Sequence, residues 1–310
     1  MNRPLYIEFH RFVRRFRSRL FSCVLLSLPG LLAPGLRAQD PKPPEVPAHV
    51  LVEQTVAHEV AASNDTSKHM FRAHKQSSKG SQTTLYVETT EAMAGMLIAD
   101  NDRPLTPERQ QAEDGHLQWL MDNPDQLRKK HAREKEDADR TLRIVKALPD
   151  AFLYEYAGAE ENAPLVRLNF KPNPNYSPPS REEQVLTGMQ GYLLIDAKAK
   201  RLAQIEATLF KDVTFGWGLL GRLDKGGHFL VKQAEVDDQS WEITEMDLHL
   251  TGKILMFKSF REISDETFSD FHSVPSNITF AQGVELLKAD RAKLAPAGAP
   301  QPAQSEPAPH

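Results

Sequence analysis

Between residues 184 and 271 the apolar residues recur at alternate positions, in runs separated by short polar or glycine-containing connections. That period belongs to a strand with one face buried and the other in water, so it rules out an all-helical second half. Ala203, Ile205, Ala207 and Leu209 alternate with Gln204, Glu206 and Thr208, and Asp196 to Lys200 joins them to a preceding strand, Gly191 to Ile195. Phe229 to Val236, Trp241 to Thr251 and Lys253 to Ile263 continue an antiparallel meander, with Thr251-Gly252 as its tight hairpin. Trp241 and Ile243 fall on one parity, Met246, Leu248 and Leu250 on the other. A β-bulge near Thr244 would reconcile them, and the twist it adds suits a sheet that bends around a helix or an acyl chain.

Upstream, Val50, Leu51, Val56, Ala57, Val60 and Ala61 are spaced as one helix face within Val46 to Ala62, which Ser63-Asn64-Asp65 ends. Lys68 to Lys75, Gln82 to Glu91 and Met93 to Ala99 have strand length, the second being rich in β-formers. Pro107 is placed to open a helix. The highly charged stretch through Leu148 keeps a thin apolar stripe of Leu127, Ala138, Leu142, Val145 and Leu148, a solvated arm laced by i,i+4 ion pairs or a partner-binding helix. Ala151 to Tyr156 and Leu165 to Phe170 are further strands, while the four prolines of Lys171 to Ser180 mark a loop.

Six arginines precede an apolar run from Leu20 to Leu32 and a small-residue site ending at Ala38, the layout of an export signal cleaved near Ala38. The run is shorter than the roughly 20 residues that span a bilayer. A signal anchor is the alternative, against which Pro29, Gly30 and Pro34 interrupt the run. Cys23 is the chain's single cysteine and lies inside this segment, so the remainder forms no disulfide. Removing residues 1–38 takes seven basic and one acidic residue from totals of 38 and 42, leaving a net charge near −10. A charge of that sign argues against nucleic acid as a partner, since phosphates demand a basic face. The expected organisation is a signal peptide over 1–38, a Pro-rich linker over 39–47 and one domain over 48–275 with a helical insertion at about 106–148. A short helix over 276–294 and a disordered tail over 295–310 complete it.

The order of elements resembles the LolA/LolB-type lipoprotein carriers. The strings PSREEQVL, MQGYLLID, KDVTFGWGLLGRL, FKSF and FSDF, between Pro179 and Phe271, look like those of a group of bacterial secreted or periplasmic proteins. The carrier resemblance implies an α+β fold: a curved antiparallel half-barrel of about 8–11 strands around an N-terminal helix and the helical insertion, with a concave face that receives acyl groups. The long charged segment from Pro107 to Leu148 and the tail depart from the carriers.

Several motifs point elsewhere and are weak. Gly216 to Gly221 matches G-x-G-x-x-G, but a turn and a strand follow where a dinucleotide site needs a helix N-terminus. No H-E-x-x-H, clustered Cys/His or G-x-S-x-G pattern occurs, so neither a metal, a cofactor nor a serine nucleophile is expected. Glu182-Glu183 and Asp237-Asp238 fall in turns, where solvated charge is the default.

The reading is a non-enzymatic envelope protein that binds an apolar ligand, a lipid or lipoprotein acyl chain, in the concave face. Leu193, Ile195, Ile205, Leu209, Met246 and Leu248 are its candidate lining; Phe215, Trp217 and Leu219 are its candidate rim. An interaction or sensor scaffold with a filled core and an envelope protein partner, and a secreted hydrolase, are the alternatives.

Overall fold

The computed structural model describes residues 46–159, 165–216, 218–237, 240–255 and 258–294. The expected signal peptide, nearly all of the linker and the tail lie outside these. The described chain is an open antiparallel sheet of thirteen strands with five α-helices. The first set comprises α1 (Ala48–Ala62), β1 (Lys68–Ser77), β2 (Gly80–Val87), β3 (Ala94–Asp100) and β4 (Arg103–Pro104). Two helices follow, α2 (Pro107–Asp122) and α3 (Pro124–Ala151), then β5 (Phe152–Ala159), β6 (Leu165–Pro172) and the single turn α4 (Arg181–Gln184). The meander is β7 (Met189–Asp196), β8 (Arg201–Leu209), β9 (Val213–Phe215), β10 (Gly221–Leu223), β11 (His228–Asp237), β12 (Ser240–Ile254) and β13 (Lys258–Val274), closed by α5 (Phe280–Leu294).

The spatial order is β4-β3-β2-β1-β13-β12-β11-β8-β7-β6-β5, so the five long meander strands lie side by side as expected. β1 pairs with β13 and thereby joins the first strand set to the meander. The strand count exceeds the expected 8–11 because β4, β9 and β10 are only two or three residues long, too short for periodicity to reveal.

Four boundaries differ from expectation, each for a local reason. The meander starts at Met189, not Gln184, because Ser180 caps a helical turn: its Oγ accepts from Glu183 N at 3.1 Å and turns the chain into α4. The charged segment is two helices because Pro124, like Pro107, occupies a first helical turn. The ladder reaches Pro172, which pairs with Phe152 at the end of the sheet, where a missing N–H is tolerated.

The expected Thr251-Gly252 hairpin is absent, since β12 runs through to Ile254 and turns at Leu255, whose φ is +50°. Gly252 serves a different purpose: it pairs with Leu223 of β10 and Phe260 of β13, and a Cβ there would stand 2.1 Å from the Arg222 carbonyl oxygen. The bulge lies where the parity change put it, since Lys232 pairs with Glu245 and Gln233 with Ile243, leaving Thr244 as the extra residue. It returns Ile243 and Met246 to the same buried cluster with Val231.

Two larger clusters flank that one. At the β5–β8 end, Leu51, Val52 and Val56 of α1 and Ala147, Leu148 and Ala151 of α3 close over Phe152, Leu168, Phe170, Leu193 and Ile195. The buried Glu59 of α1 accepts from Arg201 Nε at 3.0 Å and from Leu202 N at 2.9 Å, fixing the helix to β8. At the other end α5 packs on Val87 and Ala94, and Gly283 allows the close approach. The outer edge of β3, paired with β4 only at Ala99 and Asp100, is capped by helix carboxylates: Leu97 N donates to Glu113 at 3.3 Å and Met93 N, just ahead of the strand, to Glu134 at 3.0 Å, which blunts an edge open to unwanted pairing.

Candidate functional site

Cross-strand pairing defines one row of side chains: Leu168, Leu193, Ile205, Val231 and Met246, continuing as Glu266, Lys75 and Gln82. The row begins under α1 and α3 and ends in a cavity of about 480 Å³. The sheet side of the cavity is built by Phe71, Ala73 and Lys75 of β1, Gln82, Thr84 and Tyr86 of β2, Gly95 and Leu97 of β3, and Glu266, Phe268 and Phe271 of β13. Leu117 and Leu120 of α2, Lys130 and Glu134 of α3, and Phe280 also line it. Its size falls within the usual range for small-molecule sites, about 300–1,000 Å³.

The aromatic wall is ordered. Phe71 stacks on Tyr86 and on Phe271, each with ring centroids 5.4 Å apart, and meets Phe268 edge-on at 6.2 Å. A Cβ on Gly95 would lie 2.6 Å from the Tyr86 ring, so a glycine at this position is what lets the ring lie flat against β3.

The charged side chains of the cavity are engaged with one another. Lys75 Nζ lies 3.3 Å from Glu266, which also accepts from Ser264 Oγ at 2.8 Å. Burial holds the Lys75 ammonium below the usual lysine range, against the pull of Glu266. Lys130 pairs with Glu134 one helical turn on, Glu113 holds the Leu97 amide of β3, and Glu134 holds the Met93 amide just before it.

Behind the cavity, on the same parity of β1 as Phe71, His69 is 2 % exposed. Its backbone N donates to Glu88 at 2.8 Å, while its ring lies 3.2 Å from Asp237 and 3.3 Å from Glu242, and Phe271 meets the ring edge-on at 6.4 Å. Burial works against the imidazolium, but Glu242 and Asp237 outweigh it and raise the pKa above the ordinary histidine value. Glu242, itself a cavity residue, links this cluster to the site. No group of three or more His, Cys, Asp or Glu able to hold a metal ion occurs among the described residues.

The six expected lining residues share the sheet with this cavity, yet none is among its lining. Leu193 and Ile195 are in the cluster under α1 and α3, with Ile205 packed against it. Met246 belongs to the small central cluster, Leu209 is buried, and Leu248 is half-buried beside Phe229. Of the expected rim, Phe215 is half-buried at the end of β9 and Leu219 is exposed in the β9–β10 loop, both away from the cavity; Trp217 lies outside the described residues. The G-x-G-x-x-G stretch is that hairpin loop: Phe215 pairs with Gly221, and Gly216 and Gly218 take φ of +54° and +84°. A strand follows it, so no helix N-terminus faces a phosphate there.

Sequence reasoning missed the aromatic wall because its rings come from β1, β2 and β13, and only the β1–β13 pairing assembles them. The available signal was the parity shared by Phe71 and Ala73 in a strand that is otherwise polar apart from Met70. No family model, curated protein or solved structure matches the chain.

Proposed function

We propose that the protein is an exported, non-enzymatic binding protein that takes an apolar ligand, the acyl chain of a lipid or of a lipoprotein, into the cavity between the sheet and the α2–α3 helices. The observation that carries this reading is the 480 Å³ space against the ordered wall of Phe71, Tyr86, Phe268 and Phe271. The chain would lie along the rings, with its polar end among Lys75, Lys130, Glu134 and Glu266. A half-barrel curl of the sheet belongs to the same reading, supported by register shifts in five of the strand pairs, since bulges increase twist. Export rests on the basic leader and apolar run of the first 38 residues. No described helix is long and apolar enough to cross a membrane.

Binding rather than catalysis is favoured because the cavity carboxylates are already occupied: Glu113 and Glu134 by backbone amides, Glu266 by Lys75, Glu242 by His69. The test is native mass spectrometry of the full chain purified without detergent, before and after organic extraction. The expected result is a lipid-sized adduct that extraction removes and that a Leu97→Trp variant, with the cavity filled, does not carry. A chain free of any adduct that also ignores added long-chain fatty acid would contradict the reading.

A further inference from the structure

The β12–β13 hairpin outruns its neighbours. β13 pairs with β1 only from Ser264 to Val274, so Lys258 to Ile263 are paired on one side, to β12. Six residues at about 3.3 Å each make an arm of roughly 20 Å. The β9–β10 hairpin lies along the other side of this arm, with Gly221 opposite Ile254 and Leu223 opposite Gly252. Leu255 N donates to the Leu220 carbonyl at 3.2 Å, which ties the two turns into one tip.

That tip is apolar and exposed. Leu219, Leu220 and Leu255 are 57 %, 42 % and 61 % exposed, three of the seven large hydrophobic residues so exposed in the described chain. In the sequence Trp217, two residues before Leu219, and Met256 and Phe257, which follow Leu255, are apolar as well. Behind the tip stand exposed Lys211, Lys225, Lys253, Lys258 and Arg261. Arg222 is paired with Asp212 at 3.4 Å and with Asp224 at 2.8 Å, and Glu262 is the other carboxylate of the arm. The arm is therefore net basic on a chain whose net charge is −4.

We propose that this arm docks the protein on a lipid bilayer surface bearing anionic headgroups, with the three leucines entering the interface and the lysines meeting the phosphates. Clustered exposed apolar residues mark interaction sites. Apolar side chains backed by Lys and Arg are what an anionic bilayer surface attracts. A stable protein interface buries about 800 Å² on each side, and the exposed apolar patch here is three leucines on two adjoining turns. This inference is independent of the cavity, which lies on β1–β3 and β13 below the arm.

The test uses the full chain with Cys23→Ser and one new cysteine carrying an environment-sensitive dye, either Ser259→Cys on the arm or Ser276→Cys beyond the far end of β13. Vesicles are phosphatidylcholine alone or phosphatidylcholine mixed with phosphatidylglycerol. The expected result is a blue shift at 259 and none at 276, with the mixed vesicles only and weakening as salt is added. The residue-259 dye reads the arm itself, whatever other segments do. The combined Leu219→Ser, Leu220→Ser and Leu255→Ser variant should lower vesicle affinity about tenfold or more while keeping its urea midpoint. Lys253→Glu with Lys258→Glu should remove the preference for phosphatidylglycerol. No shift at 259, equal shifts with both vesicles, or undiminished binding by the triple serine variant would overturn the proposal.

Discussion

In the half of the sheet under α1 and α3, the cross-strand row reads Leu168, Leu193, Ile205, and helix side chains close over it; across Met246 the same row becomes Glu266, Lys75 and Gln82, facing open space. Each half contains an ion pair, and the pairs differ in kind: both partners are buried in Glu59–Arg201, whereas Lys75 is half-buried beside Glu266. Glu59–Arg201 is shut between helix and strand, backed by Trp241 at 5.5 Å from the guanidinium, and burial pushes the Glu59 carboxyl up against the pull of Arg201. Lys75–Glu266 lines a cavity. The contrast shows how one sheet divides its labour: helix side chains that match an apolar row make a core, and a row that turns polar under an aromatic wall leaves volume for something else.

The largest expected effect falls in the closed half. Arg201→Met strands a carboxylate shut between helix and strand and should cost about 3–5 kcal/mol in urea unfolding, whereas Lys75→Met should cost less, because Glu266 keeps the Ser264 Oγ donor and borders the cavity. Equal losses would erase the distinction between the two pairs. Leu193→Ala, in the packed cluster, is expected to lose about 2–5 kcal/mol, against about 1 kcal/mol for Phe268→Ala, whose ring already borders empty space. A Phe268 variant as damaged as the Leu193 variant would mean that the wall is core.

The smallest effect concerns the seam at His69. Its folded-state pKa is raised above the ordinary 6.5, so its contribution to stability is complete below that value and fades as pH rises through the folded-state pKa. Relative to His69→Gln, the wild-type urea midpoint should therefore fall on going from mildly acidic to mildly alkaline pH. Parallel profiles for the two proteins would remove the Glu242–Asp237 cluster from the energetics.

Much of the sheet was legible from alternation, since Ile205, Ala207 and Leu209 must share a face whatever lies opposite. The Thr244 bulge was legible from parity alone. Thr251-Gly252 misled because glycine also serves where another backbone comes close, here the Arg222 carbonyl, and the two uses look alike in sequence. The lining went to Leu193 and Met246 because a filled core and an open groove draw on the same residue types. What separates them is whether a helix covers the row, and that depends on α1 packing through Glu59 onto Arg201, 142 residues away.

On the proposed reading, the space beside Phe71 and Phe268 accepts an acyl chain. Titrating a fluorescent long-chain fatty acid into the wild type, Leu97→Trp and Leu193→Ala tests it most directly. Saturable binding at one site is expected in the wild type, with its loss in Leu97→Trp with folding intact and its survival in a Leu193→Ala protein held well below its unfolding midpoint. Binding that persists in Leu97→Trp, or that vanishes only with Leu193→Ala, would place the ligand elsewhere and contradict the claim.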